Sequence, residues 1–408
     1  MTAHYAWLLW LPVALWPMLE LLRQAAAWCA LRAMPNFVAS DDAARFEGVD
    51  VLQPIRSGDP SLGEALGASL RTLGGRGAKL YWLMDSDDVV AARTVQSVLV
   101  SQPDLRARVE VSLHPPCPQA INPKLFKLDR ALTLCSGDAV LVLDDDARMP
   151  AATLDALLAA LADSRSDAPV ISTALPIYLS GDASAPGLIR NSLASRLLAR
   201  FVNDNAAVTY LPPRLRGDTP TINGMAWTMR RDALAAIGGF APRLRYLTDD
   251  LAMAQAVLAG GGRIEQRREP VWMRTALPDL RGYVRQMHRW MLFARLLLRT
   301  LPWPARLRIV LGQGLPTMLP LIATAALAIA PSWPGAIAFA LGASAHLFGR
   351  HALQRACAGE AARIEPLSSL LVALLLPLHL LHALLESRIR WREHRYRVIA
   401  NDRFEELP

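Results

Sequence analysis

The apolar positions of this chain follow two patterns. Tyr5–Leu19 carries no charge, Glu20 and Arg23 interrupt it, and Ala25–Leu31 is again uncharged. From Ile309 to Gly349, and again from Pro366 to Leu385, there is no Asp, Glu, Lys or Arg. A membrane span takes about 20 residues, so 309–349 holds two helices (309–330 and 333–349), with the turn at Pro331, Trp333 and Pro334, and 366–385 holds a third. Gly312, Gly314, Pro316 and Pro320 suit a straight lipid-facing helix poorly, which leaves 309–330 either crossing or lying at the interface. Residues 1–33 read as a retained anchor helix, because a cleaved signal needs a basic start that is missing here. A buried helix of a soluble protein is the alternative. Glu20 and Arg23 can pair across three residues. Trp10, Trp16 and Trp28 suit interfacial depths, or Trp16 packs on another helix.

Between 45 and 300 the pattern changes. Short apolar runs at Val49–Ile55, Lys79–Met84, Val109–Leu113 and Ala139–Leu143 predict strands, with a helical stretch over Leu62–Leu73. Continuous apolar strands alternating with helices predict a parallel sheet covered on both faces, an α/β domain. Thr221–Met229 reads as another strand with Gly224 inside it, and Arg230 starts a helix that stops at Gly238. Asp249 and Asp250 open a further helix, and Leu280–Arg299 is amphipathic and Arg-rich. Residues 388–408 form a basic tail with five arginines between Arg388 and Arg397, which the positive-inside rule puts in the cytoplasm. With three candidate spans between domain and tail, they cannot share one side unless one segment does not cross.

Composition narrows the class. Hydrophobic residues make up 52% of the chain and charged ones 20%, which excludes a disordered or fibrous protein. Four scattered cysteines without a CxxC pair exclude a zinc ribbon and a disulfide-stapled fold. The net charge of +8 gathers beside the apolar stretches, where anionic lipid is a simpler partner than nucleic acid. Neither a P-loop nor a dinucleotide fingerprint is present.

Candidate chemistry lies where strands end. The run Lys79–Met84 leads into Asp85, Asp87 and Asp88, and Ala139–Leu143 leads into Asp144-Asp145-Asp146. Ligands of such sheets bind beyond the carboxyl ends of strands. Adjacent carboxylates repel unless a cation sits among them. In an extended segment Asp144 and Asp146 share one side and could hold one Mg²⁺ or Mn²⁺, which bridges phosphate oxygens, while Asp145 points elsewhere. A solvated acidic turn is the plain alternative. For Asp249 and Asp250 it is a helix cap, and for Gln286–Trp290 an interfacial helix with an aromatic anchor.

Taken in order, these motifs resemble the family-two glycosyltransferases, and most closely the ceramide glucosyltransferases of the family 21 type. Closer marks are Asp59-Pro-Ser-Leu, Ile121-Asn-Pro-Lys124, Asn223-Gly-Met225 and the tail Ile389–Arg397. The resemblance implies a GT-A fold, with a Rossmann-like, mostly parallel sheet, between N- and C-terminal transmembrane helices. It implies a UDP-sugar donor, a divalent metal and a ceramide-like acceptor, in an inverting transfer by a multi-pass membrane protein (in a bacterium, of the inner membrane) with its catalytic domain in the cytoplasm. By position, Asp85 or Asp88 would contact uridine, and Lys124, Asp144 and Asp249 would bind the donor. Asp144 and Asp146 would hold the metal, Asp250 would be the general base, and Gln286, Arg289 and Trp290 would act at the diphosphate and acceptor. An Asp triplet and a motif beginning with Gln286 depart from the ceramide pattern. That leaves hopanoid or other lipid acceptors, and a processive polysaccharide synthase, as alternatives. An inactive sugar-nucleotide-binding relative is the non-enzymatic one.

Overall fold

The computed structural model describes residues 6–34, 46–162, 168–179, 192–274, 276–391 and 394–407; the first five residues and Arg392 and Glu393 of the basic tail lie outside the described residues. The described residues form two compact units, one within Met1–Ala33, Asn191–Leu215 and Leu277–Ile389, the other within Met34–Arg190, Arg216–Ala276 and Arg390–Pro408.

The second unit is α/β. Its strands are β1 (Val49–Pro54), β2 (Lys79–Asp85), β3 (Val109–His114), β4 (Ala139–Leu143), β5 (Ala147–Arg148), β6 (Val170–Tyr178), β7 (Ala226–Arg230) and β8 (Arg263–Met273). They form one sheet in the order β3-β2-β1-β4-β7-β6-β8-β5. The four apolar runs expected as parallel strands are parallel to one another. The antiparallel pairs lie among the other strands: β7 is antiparallel to both β4 and β6, and β5 is antiparallel to β8. The sheet is therefore mixed but mostly parallel. Thr221–Asn223 stays outside β7, because the Asn223 amide turns back to donate to Thr173 Oγ1 at 3.0 Å. The core is built from Leu52, Tyr81, Leu83, Val140, Val142, Trp227 and Phe240, all fully buried. Apolar burial of roughly 25 cal/mol per Å² is the main term holding such a sheet to its helices.

The order of strands matters for function. Reading outward from β1, the chain runs to β2 and β3 on one side and to β4 on the other. The gap beyond β1 and β4 is thus a topological switch point, where open α/β sheets bind ligands. Val49 pairs with Ala139 and Leu52 with Val142, so both strands end level, at Ile55–Ser57 and at Asp144–Asp146. The last described residues join this unit: His394–Ala400 and Arg403–Leu407 pair as an antiparallel hairpin rather than hanging free as a tail.

The first unit is helical. Helix Ala6–Ala33 packs on Leu315–Ile329 and Trp333–Ser344. Trp16 is fully buried, edge-on to Phe339 at 5.1 Å, so it is a packing residue and not an interfacial anchor. Gly342 lets that indole approach, since a Cβ there would come within 2.7 Å of it. Glu20 is bonded to Arg350 through both oxygens, one at 2.8 Å from Nη2, with Arg23 farther off at 3.7 Å. The expected local pair is secondary to a long-range one. Among the described residues two helices are long and apolar enough to cross a membrane, Trp303–Ile329 and Pro366–Leu385. The glycines and prolines of the first give a π-helical turn at Val310–Gly314 without ending the helix. Leu367, Leu378, Leu381 and Leu385 are exposed along Pro366–Leu385. So large an apolar face has no favourable contact in water.

Candidate active site

The acidic residues at the switch point differ in how their charge is met. Asp145 accepts the amide of Arg56 at 2.8 Å, which ties it to the end of β1. The triplet is not the extended segment expected: Asp144–Ala147 is a turn, closed by the Ala147 amide on Asp144 O at 3.1 Å, so strand alternation does not decide which side each carboxylate takes. The backbone of Asp144 is fixed from two sides: its amide donates to Met225 O at 2.9 Å and its carbonyl accepts from Gln53 Nε2 at 3.2 Å. Gln53 is itself held by Trp82 Nε1 at 3.0 Å.

The centre of the site is Lys124. Asn122 caps helix Pro123–Leu132 by accepting the amides of Lys124 and Leu125, and Pro123 occupies its first turn, where a missing amide does no harm. This places Lys124 Nζ 2.8 Å from Asp144 Oδ1, 2.8 Å from Asp249 Oδ2 and 2.9 Å from Gly224 O. Four motifs far apart in sequence meet on one ammonium. Burial alone would lower the Lys124 pKa, but the charges of Asp144 and Asp249 outweigh it and raise it. Asp250 follows Asp249 at the start of helix Asp249–Ala259. Its Oδ1 accepts the Leu251 amide at 2.7 Å. Its Oδ2 faces Gly224, where a Cβ would stand 3.6 Å away. Burial, then the Asp249 charge, raises the Asp250 pKa to about 7, against the pull of the Leu251 amide and Lys124. The carboxyl keeps some access to solvent, yet protein crowds it enough to hold its proton into the neutral range.

At the end of β2 the two expected carboxylates differ. Asp88 accepts from Ala91 N at 2.9 Å and from Ser57 N at 2.8 Å. Burial raises its pKa, but those amides outweigh burial and lower it. It is a helix cap that also ties down the β1 loop. Asp85 pairs with Lys127 Nζ at 3.0 Å, and Lys127 also donates to Ile55 O at 3.1 Å. Sequence reading missed Lys127. Its signal was the spacing from Lys124, three residues on along one helix face. Asn401, discussed below, was also missed.

Asp146 has the least compensated charge. Burial, then Asp145, Asp144 and Asp59, raises its pKa well above the ordinary carboxylate range. Among the described residues no three His, Cys, Asp or Glu side chains converge as a ready-made metal cage. A crowded, partly buried carboxylate beside Asp144 nevertheless fits a hard cation that takes one or two carboxylates and completes its shell with phosphate and water. Gln286, Arg289 and Trp290 lie in the helical unit, on Leu280–Thr300. There Arg289 Nη2 donates to Gln286 Oε1 at 3.0 Å, and Trp290 stacks on Phe201 at 5.8 Å.

The fold is close to that of the GT-A glycosyltransferases. The mannosyltransferase PcManGT from Pyrobaculum calidifontis, in complex with GDP-Man and Mn²⁺, aligns over 91% of this chain and 98% of its own at 19% identity and a TM-score of 0.52. Glucosyl-3-phosphoglycerate synthase from Mycobacterium tuberculosis, in complex with Mn²⁺, UDP and phosphoglyceric acid, aligns over 63% of this chain and 83% of its own at 13% identity and a TM-score of 0.34. No curated protein matches in sequence. The chain belongs to glycosyl transferase family 21, whose sequence profile matches residues 18–404.

Proposed function

We propose that this enzyme moves a hexose from a UDP-sugar to the hydroxyl of a membrane lipid, of the ceramide kind, with inversion at the anomeric carbon. The observation that carries the reading is the meeting of Asp144, Asp249 and Gly224 on Lys124, with Asp250 alongside, beyond the ends of the strands. A base works best when its pKa lies near the working pH, and Asp250 at about 7 meets that condition. Asp250 accepts the proton of the attacking hydroxyl through Oδ2, while the Leu251 amide holds Oδ1 and so orients the carboxylate. Lys124 offsets the charge of Asp249 and Asp144, which keeps three carboxylates close together without forcing the pair apart. Of the two candidates at β2, Asp85 is assigned the uridine contact, because both oxygens of Asp88 are already engaged. Asp144 and Asp146 would hold Mg²⁺ or Mn²⁺. When bound, that ion neutralises charge growing on the departing diphosphate.

Features of the helical unit support the proposed acceptor class. Moving a lipid out of the bilayer costs about 0.8 kcal/mol per CH₂, so a lipid glycosyltransferase has to work at the membrane. The exposed leucines of Pro366–Leu385 and the exposed Trp303 and Trp333 at two helix starts support embedding there. The test is to incubate the detergent-solubilised enzyme with UDP-glucose, UDP-galactose or UDP-N-acetylglucosamine and defined lipids, and to identify the product by mass spectrometry. A hexosylceramide formed by the wild type and not by Asp250→Asn is expected. Transfer to hopanoid alone would change the acceptor, and polymer formation without glycolipid would overturn the reading.

A further inference from the structure

We infer that Asn401, in the turn of the C-terminal hairpin, is a positioning residue for the acid pair Asp249–Asp250; this rests on the reading of Asp250 as the base. Thr248 occupies the N-cap position of helix Asp249–Ala259, where a threonine hydroxyl ordinarily accepts an amide of the first turn. Here it makes no such bond. Its Oγ1 instead donates to Asn401 Oδ1 at 2.7 Å. The same Oδ1 accepts the Thr248 amide at 2.8 Å, and Asn401 Nδ2 donates to Thr248 O at 3.3 Å. The Asn401 carbonyl accepts the Leu247 amide at 2.7 Å. Asn401 is 6% exposed and Thr248 2%, so water cannot easily replace these partners.

All four bonds go to the two residues immediately before Asp249. They are not needed to close the hairpin, whose strands pair with each other from Arg395–Leu407 to Ala400–Arg403. From the other direction, Asn122 Nδ2 donates to Tyr246 O at 3.0 Å and to Leu247 O at 3.2 Å. Residues 246–248 are therefore held between two buried amide side chains. One of them also caps the helix that carries Lys124, and the other sits in the turn between His394–Ala400 and Arg403–Leu407. The entry angle of helix Asp249–Ala259, and with it the place of both carboxylates, is set by this double grip. A misplacement of about 1 Å at a reacting group can cost roughly a hundredfold in rate, so a clamp of this kind acts on turnover more than on donor binding.

The test uses the full chain in detergent micelles, with UDP release from UDP-glucose in the presence of ceramide. Asn401→Ala is expected to lower kcat at least tenfold with less than a twofold change in KM for UDP-glucose. Asn401→Asp keeps the Oδ1 acceptor but sets a carboxylate oxygen against Thr248 O, where Nδ2 had donated, so it is expected to lower kcat as well. Amide hydrogen exchange of residues 246–250 should quicken in Asn401→Ala while β1 and β4 stay protected. Should Asn401→Ala not fold, Thr248→Val removes a single bond and is expected to lower kcat with KM unchanged. Wild-type kcat in Asn401→Ala, or a loss of kcat with exchange raised throughout the α/β unit, would overturn the inference. A wild type that releases no UDP contradicts the functional reading instead, and the exchange at 246–250 then decides the clamp alone.

Discussion

Replacing Asp250 by Asn should separate stability from turnover. An aspartate in an unfolded chain titrates near 4, whereas burial and Asp249 raise the folded value to about 7. Between those pH values the folded protein keeps a proton that the unfolded chain has lost. Stability therefore falls as pH rises from about 4 to about 7, and the deficit persists above 7. Three pH units set an upper bound of about 4 kcal/mol. Solvent access to the carboxyl screens part of this, and about 2 kcal/mol is the working magnitude. Asn is neutral at every pH, has the same shape, and keeps an oxygen for the Leu251 amide, so it removes the deficit at little structural cost. At pH 8 Asp250→Asn is expected to melt roughly 2–4 °C above the wild type, and near pH 4 the two should melt together. The melts are run in detergent with EDTA, so that no metal contributes. The same variant should transfer no sugar, and wild-type kcat should rise with pH through about 7 as the base loses its proton. Equal melting differences at both pH values, or sugar transfer by Asp250→Asn, would refute the reasoning.

Three further outcomes follow from the same geometry. Lys124→Met strands Asp144 and Asp249 without their shared cation, which should abolish transfer and destabilise the protein by about 3–5 kcal/mol, read by activity and thermal melting. Gly224→Val adds branches to a Cβ that would stand 3.4 Å from that of Asp250; kcat should fall at least tenfold with donor KM little changed, whereas Gly224→Ala should be mild. In the helical unit, Arg350→Met strips the buried Glu20 of its guanidinium partner and leaves it Gln24 at 2.9 Å and Arg23 at 3.7 Å; stability should fall by about 3 kcal/mol, the low end for a broken buried pair, and adding Glu20→Leu should restore part of the melting temperature.

What could be read from the amino acids divides along physical lines. Strands β2 and β4 announce themselves because both faces are covered, so each is a nearly continuous apolar run; the edge strand β3 alternates as Val-Glu-Val-Ser-Leu and leaves Leu113 exposed. Strand β8 does not, since it reads Arg-Ile-Glu-Gln-Arg-Arg-Glu from Arg263; its charges are tolerated because Arg263 pairs with Glu265 and Arg267 with Glu269, two residues apart on the same side. In the site, the carboxylates were legible because consecutive aspartates are unfavourable without a purpose, and the Asn-Pro-Lys motif carried Lys124 with it. Their convergence was not, because it depends on chain crossings that bring residues 124, 144, 224 and 249 together. Asn401 was invisible for the same reason. A single Asn in a turn is ordinary until the structure shows that its partners are Leu247 and Thr248. The Glu20–Arg23 pair shows the opposite error, where local spacing suggested a partner and the fold supplied a better one in Arg350.

In the proposed reaction the aspartates at the end of β4 would hold a divalent ion at the donor diphosphate. The most direct measurement is the UDP dissociation constant with and without Mn²⁺, for the wild type and for Asp144→Asn. Mn²⁺ is expected to tighten UDP binding to the wild type at least tenfold and to leave binding to Asp144→Asn unchanged. UDP that binds the wild type equally well in Mn²⁺ and in EDTA would contradict the account.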